Sequence, residues 1–150
     1  MRIVIQRVGA AAVDVAGSRV SEIGRGLLVL VGVEHGDSTD DVQWLAQKTA
    51  NLRIFPDEAG MMNRSVVEVD GEVLAVSQFT LTASTRKGNR PSYIRAAGGE
   101  EAVPLYEAYC EAVAALTGKP VGRGIFGADM QVRLVNDGPV TIIIDSRLRE

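Results

Sequence analysis

Two short stretches hold the side chains best suited to chemistry: Ser77-Gln78-Phe79-Thr80 and Asn136-Asp137-Gly138-Pro139. The first follows the apolar run 73–76, and the second precedes the apolar run 140–144. Polar groups at the rim of a sheet sit on rigid elements, which suits a reaction that needs fixed geometry. The usual catalytic groups are sparse. There is one histidine, His35, and one cysteine, Cys110. His35 precedes Gly36-Asp37 and reads as an exposed turn residue. Cys110 falls on an apolar helical stripe and reads as a packed thiol. No further His or Cys exists to complete a zinc site. The sequence lacks a G-x-S-x-G nucleophile elbow, a P-loop and a dinucleotide fingerprint. A hydrolase built from this set works with backbone N–H groups, hydroxyls and the substrate's own groups. Thr80 is a candidate nucleophile, but no base is evident to activate it.

The elements that must hold these residues follow from periodicity. The chain opens with β-branched runs at 3–5 and 13–15, and Gly17-Ser18 is a candidate hairpin turn. Residues 27–33 are apolar on both faces, which predicts a central strand covered on both sides. Ser38 and Asp41 open a helix whose buried stripe is Val42, Leu45, Ala46 and Thr49. A strand is expected over 52–55, then a turn over 56–60. Residues 65–69 and 72–79 read as a hairpin around Asp70-Gly71. Residues 82–99 read as a long loop, and loops of that length are usually functional or disordered. A second helix is expected from Pro104 to Thr117, burying Tyr106, Tyr109, Cys110, Val113 and Leu116. Two strands, 130–135 and 140–145, close the chain. About eight strands and two helices predict an α+β domain over 1–150, with a mixed, strongly curved, barrel-like sheet and the helices packed outside.

Composition narrows the function classes. The chain has 150 residues and a net charge of −3. One cysteine allows no intrachain disulfide, which fits a reducing cytosol. The first residues read as a strand rather than a signal peptide, and no apolar run reaches the ~20 residues that span a bilayer. The negative charge argues against coating nucleic acid through charge alone. It still permits a local grip on one RNA end by Arg86, Lys87 and Arg90, with Lys119 and Arg123 as a second group. Read by themselves, such clusters are equally ordinary solvated loop charges.

The two signatures, in this order, strongly resemble those of the D-aminoacyl-tRNA deacylases. So do the opening Met1-Arg2-Ile3-Val4-Ile5-Gln6-Arg7-Val8, the loop Lys87-Gly88-Asn89-Arg90-Pro91-Ser92, and Phe126-Gly127-Ala128-Asp129-Met130. The resemblance implies a homodimer in the cytoplasm that needs no cofactor or metal. It implies cleavage of the ester in D-aminoacyl-tRNA, and of glycine mischarged on tRNA-Ala, assisted by the RNA 2′-hydroxyl. Ser77, Gln78, Phe79 and Thr80 would form the catalytic set, with the Phe79 and Thr80 N–H groups facing the ester carbonyl. Gly138 and Pro139, joined by a cis bond, would enter the partner's site and reject L-amino acids by steric exclusion. Phe126 and Met130 would hold the terminal adenine, and Arg86, Lys87 and Arg90 the tRNA backbone. No membrane or DNA partner is expected. A related L-aminoacyl-tRNA deacylase with a trans Gly-Pro bond and a non-catalytic nucleic-acid-binding module are the rival readings.

Overall fold

A computed structural model describes residues 1–150 as eight strands and two helices. Strand β1 (Arg2–Val15) turns through Ala16 and Gly17, both at positive φ, into β2 (Ser18–Ile23). The turn therefore lies one residue before the expected Gly17-Ser18. Strand β3 (Gly26–Gly32) pairs antiparallel with the first half of β1. Helix α1 (Thr39–Asn51) follows, and the Asp41 carboxylate accepts from the Ser38 N–H at 2.8 Å, closing its first turn. Short strands β4 (Phe55–Pro56) and β5 (Met62–Arg64) form a separate pair. Strand β6 (Glu72–Ser77) runs parallel to β3, and β7 (Gly122–Arg123) runs parallel to β6. Helix α2 (Gly99–Thr117) precedes β7, and β8 (Met130–Asp145) pairs with β1 along its other edge. The result is a mixed six-stranded sheet, nearly closed into a barrel, with two helices.

Four expectations about elements are corrected. The strand expected over 52–55 begins only at Phe55, because Leu52 still caps α1 by donating its N–H to the Lys48 carbonyl. Residues 65–69 are not a strand paired with 72–79. Ser65 and Glu68 cap each other: the Glu68 carboxylate accepts from the Ser65 N–H at 2.7 Å, and the Ser65 hydroxyl accepts from the Glu68 N–H at 3.2 Å. That reciprocal capping closes a helical turn, completed by Val69 N–H to the Ser65 carbonyl. It overrides the hairpin signal of Asp70-Gly71, and β6 takes β3 as a parallel neighbour instead.

Helix α2 begins at Gly99, five residues before Pro104. Glu101 ties the early turn to the α1 approach, accepting from the Gly36 N–H at 2.8 Å. Acidic Glu100 and Glu101 also suit a helix N-terminus. The last correction concerns 130–145, which form one long strand rather than two strands joined by a turn. Both halves pair with β1, and residues 137–140 bulge out opposite Arg7, between the pairs Gln6–Thr141 and Val8–Asn136.

Alternation divides the core. Ile3 and Ile5 of β1, Leu27, Val29 and Val31 of β3, and Val73 and Ala75 of β6 pack beneath the helices. Val42, Leu45 and Ala46 of α1 meet them, with Tyr109, Cys110 and Val113 of α2. The opposite faces of β3 and β6 bury Leu28, Leu74 and Val76 against Val8, Val13 and Ile23. Both faces of the central strands are thus covered, as their continuous apolar sequence requires. Thr49 and Tyr109 share a fully buried hydroxyl–hydroxyl bond of 2.7 Å.

Candidate active site

Strand β6 ends at Ser77, and the chain then folds into a 3-10 turn, Phe79–Thr82. Gln78 anchors the junction by donating its N–H to the Val31 carbonyl at 2.8 Å. The turn packs close over β3 because Gly32 has no side chain. A Cβ there would lie 3.0 Å from Leu81 Cβ and 3.1 Å from the Gln78 carbonyl. Two arginines hold the turn from outside. Arg2 Nη1 donates to the Leu81 carbonyl at 2.8 Å, and Arg95 Nη2 donates to the Thr82 carbonyl at 3.1 Å. The Phe79 and Thr80 N–H groups head this turn, and no protein acceptor takes them. Unpaired donors at such a terminus are available to an external oxygen.

A cavity of about 250 Å³ opens beside this turn. Ser77, Gln78, Phe79, Phe126 and Met130 all line it, so residues far apart in sequence converge there. Its deeper wall is apolar, from Val31, Val33, Val76 and Ala102. Tyr106, expected only as core, also lines it; its hydroxyl donates to the Ala75 carbonyl at 2.9 Å, and its ring centroid lies 6.2 Å from that of Phe126. Nothing in the helical spacing of Tyr106 distinguishes it from its buried neighbours. Asp129 is the one carboxylate in the lining. Thr80 stands outside the lining, its hydroxyl accepting from Gln78 Nε2 at 2.6 Å.

Gly138 and Pro139 are not part of this wall. They cap the bulge of β8, where their peptide bond is cis. Two side chains that sequence reasoning left without a role build the bulge. Asn136 Nδ2 donates both to the Arg7 carbonyl and to the Val140 carbonyl, each at 3.0 Å, closing the loop at its neck. Arg7, nearly buried, donates from Nε to the Asp137 carbonyl at 3.2 Å and from Nη1 to the Ile54 carbonyl at 2.6 Å. Gly138 has φ +126°, and a Cβ there would meet the Val140 nitrogen at 3.0 Å. Glycine is required on both counts.

A model of the D-Tyr-tRNA(Tyr) deacylase family matches residues 4–145. The chain belongs to this family. It is 59% identical over 150 residues to the D-aminoacyl-tRNA deacylase of Parabacteroides distasonis, and 60% identical over 150 residues to that of Akkermansia muciniphila, with 100% of each chain covered. Among solved structures it resembles a c-Myc DNA unwinding element binding protein, with a TM-score of 0.91 and 40% identity over 97% of this chain and 98% of that one. A probable eukaryotic D-amino acid tRNA deacylase shares the fold, with a TM-score of 0.81 and 18% identity over 95% of this chain and 97% of that one.

The remaining sequence candidates fall outside the cavity of this family member. Arg86, Lys87 and Arg90 are exposed on the loop after the 3-10 turn, and no carboxylate pairs with them. Lys119 does not join Arg123 as a second basic grip. Its ammonium pairs with Asp70 at 2.9 Å and donates to the Asp70 carbonyl, which spends its charge locally. His35 is exposed and pairs with Glu101 at 2.9 Å, away from the cavity. Burial pushes the Cys110 thiol up to about 11, so it is a protonated core group at neutral pH.

Proposed function

We propose that the protein hydrolyses the ester of D-aminoacyl-tRNA and works as a homodimer in the cytoplasm. Family membership and curated relatives over the full chain support the deacylase activity. The observation that carries the site is the single cavity uniting Ser77, Gln78 and Phe79 with Phe126 and Met130. In this reading the terminal adenine rests between Phe126 and Met130, where aromatic stacking contributes ~1–3 kcal/mol. The ester carbonyl then faces the Phe79 and Thr80 N–H groups. Water adds to that carbonyl, aided by the neighbouring 2′-hydroxyl. The bond to the ribose 3′-oxygen breaks, and free D-amino acid and tRNA leave. Each donor aimed at the developing oxyanion is worth ~3–4 kcal/mol in other hydrolases. No imidazole or thiol lines the cavity, which favours this substrate-assisted route.

Gly138 and Pro139 serve as the chiral filter by entering the partner's cavity. Their position outside their own cavity, at the tip of a braced bulge, supports that role. Their carbonyls exclude an L side chain; a D side chain points away, and glycine has none. Glycyl-tRNA is accordingly a second substrate, and Arg86, Lys87 and Arg90 take tRNA phosphates.

The test is deacylation of D-tyrosyl-, L-tyrosyl- and glycyl-tRNA, with and without EDTA. Hydrolysis of the D and glycyl substrates, sparing of the L substrate, and indifference to EDTA are expected. Preference for the L substrate would favour the L-aminoacyl-tRNA rival. Metal-restored activity after EDTA would overturn the substrate-assisted route. Binding of nucleic acid without turnover would favour a recognition module, the reading suggested by the name of the DNA-binding structural neighbour.

A further inference from the structure

The charge of the chain is unevenly spread. Residues 73–99 contain Arg86, Lys87, Arg90 and Arg95 and no acidic residue, so this segment carries +4 within a chain of net −3 and leaves −7 elsewhere. This segment includes the catalytic turn and the loop after it. The loop is an arm pinched at its base: Ser84 and Ser92 exchange backbone bonds of 2.8 and 2.9 Å. Its return limb is fixed to the body. The Ala97 N–H donates to the Val33 carbonyl at 3.0 Å, and the His35 N–H donates to the Arg95 carbonyl at 3.1 Å.

Three large apolar side chains stand exposed on this rigid base. Phe79 is 54% exposed, Tyr93 38% and Ile94 81%. The Phe79 and Tyr93 rings meet edge to face with centroids 5.0 Å apart. Phe79 also lines the adenine-sized cavity, so the ledge continues directly from that cavity. On its far side, Arg86, Lys87 and Arg95 surround an open depression with Ser84, Thr85, Ser92 and Ile94. Arg95 is already engaged, by Glu34 at 3.5 Å and by the Thr82 carbonyl, whereas Arg86 and Lys87 have no carboxylate partner. Aromatic rings beside such free cations are the combination that binds single-stranded nucleic acid, because bases stack while phosphates pair.

We infer that this ledge is a second nucleotide subsite, for the unpaired nucleotides that precede the terminal adenosine. Their bases lie on Phe79, Tyr93 and Ile94, and their phosphates face Arg86 and Lys87. The inference rests on the reading of the substrate as charged tRNA. It gives the Phe79 side chain a role separate from that of its backbone N–H.

The experiment compares two substrates, D-tyrosyl-tRNA and the 3′-D-tyrosyl ester of adenosine, which lacks every nucleotide the ledge would hold. The readout is the ratio of their kcat/KM values. In Tyr93→Ala this ratio should fall about tenfold, the loss of one stacked base. In Tyr93→Phe it should stay near that of the parent protein. Arg86→Ala with Lys87→Ala alters only exposed side chains, so folding is not at stake, and it should lower the ratio and flatten its dependence on salt. A ratio unchanged in both Tyr93→Ala and the double variant overturns the subsite. Failure of the unaltered protein to hydrolyse either substrate instead overturns the deacylase reading.

Discussion

At the scale of single residues, Thr80 separates two chemistries. Its hydroxyl accepts from Gln78 Nε2, and no acid, imidazole or amine stands in the cavity lining to take a proton from it except Asp129. In the proposed mechanism the Thr80 backbone N–H binds the oxyanion and the hydroxyl only braces Gln78. Thr80→Val keeps that N–H. It should lower kcat for D-tyrosyl-tRNA by about tenfold or less, since one neutral hydrogen bond is worth ~0.5–1.5 kcal/mol. A loss of a thousandfold or more, with the fold intact by circular dichroism, would make Thr80 the nucleophile. The sequence identified the polar residues at this point but not their geometry. Ser77-Gln78-Phe79-Thr80 marks a strand end, whereas the choice of which groups face the cavity depends on a 3-10 turn stabilised by Arg2 of the distant β1 and by Arg95 of the loop that follows. Arg7 was equally invisible, because a buried arginine under a bulge has the same one-letter signature as an edge-strand charge.

At the scale of elements, the 3-10 turn depends on the β1–β8 pairing. Arg2 grips the Leu81 carbonyl while its guanidinium pairs with Asp145 at 2.9 Å. Burial pulls the Asp145 carboxyl upward, but hydrogen bonds from the Arg147 N–H and from Arg2 outweigh it and hold the group below its ordinary value of 3.8. A depressed carboxyl adds stability that is complete above its unfolded pKa and disappears as pH falls through the folded one. Asp145→Asn should therefore be less stable than the parent protein near neutral pH. The gap should narrow below about pH 4 and close under stronger acid, as read by urea midpoints across pH. A gap that does not change with pH would show that the pair contributes nothing through ionisation.

Elements also show where one signal loses to another. Asp70-Gly71 is a strong hairpin dipeptide, yet the equally local Ser65–Glu68 caps close a helical turn ahead of it in the chain. Pro104 suggested a helix start, yet Glu101 reaches across to Gly36 and holds an earlier turn. The apolar patterns of β3 and α1 survived unchanged because their burial and their periodicity agree.

At the scale of the whole molecule, β8 and the residues after it leave apolar side chains in the open. Val135 and Ile143 of β8, and Leu148 just beyond it, are each more than 60% exposed. Ile142 and Ile143 border a groove of about 630 Å³ with Trp44, Leu52, Leu81 and Leu148. An exposed apolar surface of this kind favours self-association. A filter that must enter a neighbouring cavity also needs a neighbour, and two-fold symmetry supplies both sites at once. Light scattering should give twice the monomer mass. Gly138→Ala, whose Cβ has no room beside Val140 and Arg7, should displace the bulge and reduce the D-to-L rate ratio in protein that remains dimeric. A monomer with full chiral discrimination would end the cross-subunit account.

The same long strand sets the order in which the chain can be assembled during synthesis. On one edge β1 finds β2 and β3 within the first 32 residues of the chain, but the partner for its other edge is β8, which pairs residue 2 with residue 145. Until the last segment leaves the ribosome, the other edge of the 14-residue β1 presents an open row of backbone donors and acceptors. Contacts this distant in sequence also slow the search for the native state. A nascent chain stalled before Met130 is therefore a sticky half-sheet, and such intermediates are the ones chaperones bind. The bulge that would screen substrates lies within the segment that removes this hazard, so the filter and the closed sheet are completed together.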